Sequence, residues 1–538
     1  MKTLPLVFLS TALCGQTVVQ TRYDAGQTGV NTAETILTPA NVGTLRKLGT
    51  WDVFGLVMTQ PLIAQAVNGK DLLIIATVTG NIYALDANAP GTTIWSRSFP
   101  NPRTSYLGNS GINTFGYSKP LGIVSTPYVD VVRGVIYVVV QSSVPQYTLY
   151  QLGLNNGSIL RSVVINGSVA GTGDPAGADC VSGGAVSFCP GEQYVQRPGL
   201  IVANSKVYIA FGATDVDPYH GWLFAYNTSD LTQAAVWCST SNGGGGSVWM
   251  SGAAPSVDAS GSVYVTTGNG DWNGTSNFGE SVVKLSPSLT VLDYFTPSNW
   301  SELNAADEDV SSNHFLLIPG TTKGVFAAKD YRAYVLDTAC MGHLQGSSAC
   351  KLQTWDVCSA CTKAKATGGY GAIYLNDTWY LPTTGNDAFG GAAAGSLYSF
   401  SFFNGRFTTI PTASNINNWP FPGPAQITGT SNGFSSSLIW VVTGAREAFD
   451  TTTEGTLRVF NTSLTELWNS GSGANALGLM SKYVPPTVVN GRVYVPTQSG
   501  RIVAYGLPTD TMFTSTLYLT IALPLLAVAF NLTARFFR

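Results

Sequence analysis

Few residue types in this chain can do chemistry, and those that can are gathered in a handful of loops. There are 8 cysteines and only 3 histidines. Cys180 and Cys189 lie close together, and Cys340, Cys350, Cys358 and Cys361 form a second group; Cys238 and Cys14 stand apart. In an exported chain such clusters close short disulfide loops, with pairings that spacing alone does not decide. Cys358-Ser-Ala-Cys361 is followed by Thr362, where covalent haem attachment needs a histidine. Three histidines also argue against a zinc site of Cys and His. Taken alone, a loop Asp, Asn or Lys in this chain reads as a solvated charge or a turn residue.

The elements that must position them are short strands. Gly is abundant (59), charged residues are only 11% and aromatics reach 11%, which disfavours long helices with charged faces. Self-similarity is more decisive. The first copy of a repeat runs Leu72-Leu-Ile-Ile-Ala-Thr-Val-Thr-Gly-Asn-Ile-Tyr-Ala-Leu-Asp86, with a Trp strand at Gly91–Trp95. Its middle strand returns at 147–153, 221–227, 281–286, 332–337, 396–401, 456–461 and 500–506. The last copy lacks a Trp strand, and an unattached one stands at Leu45-Arg-Lys-Leu-Gly-Thr-Trp51. The expectation is an all-β, eight-bladed β-propeller of four-stranded antiparallel blades over 16–508, its ring closed by that N-terminal strand so that no sheet edge is left open. Trp95, Trp237, Trp355 and Trp468 then pack between blades.

Both ends are apolar. Met1–Gly15 has one lysine, an apolar stretch from Leu4 to Leu13 and a small-residue exit, the layout of a secretory signal peptide. Within 509–538, Met512 to Ala534 spans roughly 34 Å as a helix and is followed by Arg535-Phe-Phe-Arg538. It reads as a transmembrane anchor, or alternatively as the removable tail of a lipid-anchor signal. The chain is expected in the secretory pathway, at the cell surface, monomeric and membrane-anchored. That compartment permits glycosylation at the sequons of Asn156, Asn166, Asn227, Asn273, Asn299, Asn376, Asn461 and Asn531. Between the apolar ends 24 basic residues face 30 acidic ones, a net charge of −6 that disfavours nucleic acid or anionic lipid as partner.

Thr21-Arg-Tyr23, Leu37-Thr-Pro-Ala-Asn-Val-Gly-Thr-Leu45 and Trp51 resemble the opening of quinoprotein alcohol dehydrogenases and polyvinyl-alcohol dehydrogenases, and the repeat extends the resemblance along the chain. Gly243-Gly-Gly-Gly-Ser-Val-Trp249 followed by Val263-Tyr-Val-Thr-Thr-Gly-Asn-Gly-Asp-Trp-Asn273 resembles their cofactor segment. The resemblance implies Trp249 as the floor under pyrroloquinoline quinone and Asn269 as a calcium ligand. A flat indole stacks on a planar quinone, and a neutral amide oxygen suits a hard cation. It further implies Asp309, or else Asp307, as the base that takes the alcohol proton, and Lys329 as the cation beside the quinone oxygens. Substrates would be small alcohols, polyols or carbohydrates.

Two departures stand against this. Asp215 and Asp217 flank the position of the family's acidic calcium ligand without falling on it, and the adjacent-cysteine disulfide that covers the quinone in many of these enzymes is missing. The competing expectation is a propeller without redox chemistry that binds glycans or proteins through its top-face loops, with Trp300 and Trp419-Pro-Phe-Pro-Gly-Pro424 as surface.

Overall fold

The computed structural model describes residues 16–102, 120–142, 146–174, 180–191, 193–213, 218–345, 350, 353–357, 371–383, 395–419, 427–444, 453–481 and 483–508. The expected signal peptide, the C-terminal apolar segment, Asp215, Asp217, Cys358, Cys361 and the 420–424 turn lie outside them. Among the described residues no helix is long and apolar enough to cross a membrane.

Nine sheets form among these residues. One is a small three-stranded sheet of Ser168–Ala170, Val181–Ser182 and Ala185–Ser187. The others follow one another along the chain as antiparallel meanders. The first comprises Leu62–Val67, Lys70–Ala76, Asn81–Asp86 and Thr93–Ser98, and the second Tyr128–Asp130, Val135–Ser142, Gln146–Gly153 and Ile159–Val164. Every recurrent middle strand of the sequence repeat is the third strand of such a meander, as Trp222–Asn227, Val282–Leu285, Arg332–Asp337, Gly395–Phe403, Glu454–Phe460 and Arg501–Gly506 show.

Strands apolar throughout, such as Val135–Ser142, are explained by packing on both faces. Val135, Tyr137 and Val139 join the cluster that contains Val207, Ile209 and Phe211 of the third sheet. Ile136, Val138 and Val140, which point the other way, join Ile74, Ile82 and Ala84 of the first. Each sheet is thus sandwiched by its neighbours, the arrangement of a propeller.

The tryptophans mark the joints. Trp95 donates its indole N–H to Leu154 O of the second sheet at 2.9 Å. Trp237 lies 6.5 Å from Phe278, Trp355 6.1 Å from Trp379 and Trp468 5.6 Å from Tyr505, each ring in the next sheet or the segment leading into it. Trp51 completes the series. Its strand, Arg46–Asp52, pairs antiparallel with Arg501–Gly506, and its indole donates to Asp86 O at 3.1 Å across the joint to the first sheet.

The innermost strands would present unpaired edges to the central channel. The polar N-terminal segment covers many of them. Val18 exchanges both backbone hydrogen bonds with Ile63, and Val19, Ala25, Gly26, Thr28 and Gly29 accept from Val129, Val257, Leu317, Tyr374 and Gly429 in turn, at 2.8–3.0 Å. Asn31 Nδ2 and Tyr23 OH then reach the backbone of Val488. Residues 18–31 therefore hoop the inner edge of successive sheets. Inside the hoop Arg22 is buried and donates to the carbonyls of Gln27 and Ala372, with burial lowering its pKa to about 10.

Trp51 is 1% exposed, whereas Trp468 is half-buried. Trp51→Ala should cost about 3–5 kcal/mol, and Trp468→Ala clearly less. Urea-denaturation midpoints of the two variants check this; equal shifts would contradict it.

Candidate active site

The loops at one end of the fourth and fifth sheets bring together Asn269, Asp307, Asp309 and Lys329, four of the residues singled out in sequence. Strand Val263–Thr266 runs into the turn Gly268-Asn269-Gly270. The chain leaving the fourth sheet forms a short helix, Trp300–Ala306, capped by Asp307 in a left-handed conformation (φ 57°), and then returns through Asp309. Asn304 on this helix accepts from the Gly270 N–H at 2.8 Å, which fastens helix to turn.

Asp309 is the centre of the cluster. One carboxylate oxygen accepts from the Asn269 backbone N–H at 3.1 Å and the other is in contact with Lys329 Nζ. Lys329 also donates to Asp307 O at 3.0 Å and stands 3.4 Å from Asp307 Oδ1, while Asn269 Nδ2 donates to that same oxygen at 3.0 Å. The side chains of Asp309 and Lys329 are each 14% exposed, that of Asp307 64%. The turn must be glycine at 268, since a Cβ there would stand 2.5 Å from Asp309 Oδ1. Burial pushes the Asp309 carboxyl up, but the Lys329 charge and hydrogen bond outweigh it and hold the group below the ordinary value. Asp309 is thus an ionised, fixed acceptor, and of the two candidate bases it is the better positioned.

Sequence reading passed over Glu280. It is fully buried; one oxygen accepts from the Val310 N–H at 2.7 Å and the other has no hydrogen-bond partner. Burial, and then the negative charge of Asp309, raise its pKa well above the usual carboxylate value. Its carboxyl lies against the Val310 N–H, where burial disfavours the charged form. In sequence it is merely an acid before an apolar strand, where a solvated charge would be ordinary. Asn304 was likewise hidden in a loop not read as helical.

Trp249 precedes the turn Met250–Gly252, half-buried, against Met58, Val78, Leu121, Val124 and Val195 from the first three sheets. The two segments are joined where Gly268 N donates to Ser247 O at 2.9 Å. Hard-oxygen donors for a cation are present: Asn269 Oδ1 is buried and accepts no hydrogen bond, and it lies beside the carboxylates bound by Lys329. Among the described residues no group of three or more Asp, Glu, His or Cys side chains is placed to hold a metal by itself, so a bound ion would need further oxygens. Elsewhere, Cys180–Cys189 and Cys340–Cys350 are disulfides.

No protein-family model matches the chain, and no curated protein matches it in sequence. Its fold does match solved structures. Quinohemoprotein alcohol dehydrogenase from Comamonas testosteroni is 14% identical with a TM-score of 0.61, over 91% of this chain and 81% of that one. The alcohol dehydrogenase ADHIIG from Pseudomonas putida HK5 is 13% identical with a TM-score of 0.59, over 91% and 80%. A europium-containing methanol dehydrogenase is 14% identical with a TM-score of 0.59, over 92% and 98%. The chain has the propeller fold of these quinoprotein-type dehydrogenases. At such identities the likeness shows fold alone.

Because burial raises the folded-state pKa of Glu280 well above its ordinary, unfolded value, the group lowers stability as pH rises above that value. Glu280→Gln should therefore gain stability relative to wild type between pH 4 and pH 8 in metal-free protein. Paired urea midpoints at the two pH values measure this; a constant difference would contradict it.

Proposed function

We propose that the protein is an eight-bladed propeller, closed by the Arg46–Asp52 strand, that oxidises alcohols, polyols or sugars with pyrroloquinoline quinone and Ca²⁺. The observation that carries this reading is the convergence of Asn269, Asp309 and Lys329, from three separate loops, on one partly buried cluster. When bound, the quinone would supply the hydride acceptor and the cation would polarise it.

The chain's own residues divide the remaining work. Trp249 would provide a rigid apolar floor. Asn269 Oδ1 would be an oxygen ligand for the cation, with Asp307 at the edge of the same cluster. Asp309, ionised and turned by the Asn269 N–H and Lys329, would take the hydroxyl proton of the substrate. Lys329 would lower the cost of negative charge developing nearby. Asp215 and Asp217, which lie outside the described residues, would be further cation ligands.

The two disulfides fit an oxidising compartment. They support export through the N-terminal signal segment; the C-terminal segment, as a transmembrane helix or a lipid-anchor signal, would then hold the propeller at the cell surface.

Quinone absorbance and dye reduction, followed while pyrroloquinoline quinone and Ca²⁺ are titrated into purified protein, test the proposal. Saturable binding with turnover of alcohols or sugars is expected. Asp309→Asn should lower kcat at least ~100-fold while quinone affinity stays within a few-fold. Absence of quinone binding at saturating concentration would overturn the enzyme reading and leave a binding propeller.

A further inference from the structure

The helix that delivers Asp307 to the cluster begins with a tryptophan, and that tryptophan has a partner. Trp300 opens Trp300–Ala306, and Trp272 lies two residues beyond Gly270 on the turn to which the same helix is fastened through Asn304. Their ring centroids are 5.6 Å apart with planes inclined at 42°, and both side chains are half-buried. The Trp272 N–H is buried without a hydrogen-bond partner, so packing alone holds this indole. Next to the pair in sequence are exposed Asp271, Asn273, Thr275 and Glu302. Asp271 Oδ2 accepts from the Gly244 N–H and Asn273 Oδ1 from Thr275 in the same loop, while among the described residues no hydrogen bond of Glu302 is seen beyond its own helix.

Two partly exposed indoles flanked in sequence by amide, hydroxyl and carboxylate groups are poorly explained by core packing. The apolar faces match the C–H faces of a sugar ring, and the polar groups match its equatorial hydroxyls. Asp271 and Glu302 disfavour a phosphate-bearing partner. The helix also sets a length. Seven residues at 1.5 Å each separate Trp300 from the Asp307 end by about 10 Å, more than a single sugar ring spans.

We propose that Trp272 and Trp300 form an outer subsite for an oligosaccharide, one ring stacking on the indoles while a hydroxyl of another ring lies at Asp309. The placement at Asp309 rests on the dehydrogenase reading above; the binding itself does not.

The full-length protein, treated with endoglycosidase so that a glycan on Asn273 cannot occupy the platform, is titrated without quinone against maltotetraose, cellotetraose, chitotetraose and mannotetraose. Saturation-transfer NMR and calorimetry read the binding. At least one tetrasaccharide should bind, methyl glucoside at least 10-fold more weakly. Trp272→Ala and Trp300→Ala should each weaken it at least 10-fold, while Trp272→Phe and Trp300→Phe retain most of the affinity and show that the site is folded. Failure of all four sugars to bind, or alanine variants that bind like wild type, would overturn the subsite. Binding that depends on both tryptophans in a protein that never takes up quinone would keep the subsite and sink only the dehydrogenase reading.

Discussion

The fold depends on how the inner edges of its sheets are satisfied. Successive meanders placed around a channel each leave an innermost strand facing inward, and a buried unpaired N–H costs about 1–3 kcal/mol. Residues 18–31 meet this cost with main-chain carbonyls that accept in turn from Ile63, Val129, Val257, Leu317, Tyr374 and Gly429. A segment that must touch so many sheets cannot be a regular strand or helix. It carries positive φ at Arg22, Tyr23 and Gln27, and Gly29 has no room for a side chain beside Arg22 and Ile373. The arrangement ties the start of the chain to nearly every part of the ring, as Arg46–Asp52 ties it to the end.

The candidate site depends on how two neighbouring sheets are joined. Asn269, Asp309 and Lys329 come from different loops, and their relative positions are set by the joint between the fourth and fifth sheets rather than by sequence proximity. The charge balance follows from the same joint. Lys329 faces two carboxylates, Asp307 and Asp309, while burial and the Asp309 charge disfavour ionisation of Glu280. Beside them Asn269 keeps a buried amide oxygen without a hydrogen-bond partner.

Much of the fold was legible in sequence because it rests on repetition. The middle strands share an apolar pattern ending in a small or polar residue, and several are followed by a Trp strand, so the unattached Trp51 strand pointed to the last repeat, with which it pairs. The hoop was not legible: its contacts are made by backbone, and Gln20-Thr-Arg-Tyr-Asp24 has neither period. The helix at Trp300–Ala306 was hidden by its length, too short for an amphipathic stripe. Asn269, Asp309 and Lys329 were singled out only through resemblance, since spacing alone marks them as turn and loop residues, and their proximity came from the structure. The unequal burial of Asp309 and Asp307, and the burial of Glu280, needed the packing of one sheet on the next. The pairing of Cys180 with Cys189 and Cys340 with Cys350 likewise waited on the structure, because four clustered cysteines allow several connectivities.

The central claim is that this cluster is a quinone and cation site. Its most direct test is a crystal structure of the protein grown with saturating pyrroloquinoline quinone and CaCl₂. The account predicts planar density over the Trp249 indole and an ion about 2.4 Å from Asn269 Oδ1, with Asp309 facing the open side of the ring. Well-ordered crystals in which Asn269, Asp309 and Lys329 keep their present contacts and no ligand lies on Trp249 would contradict it.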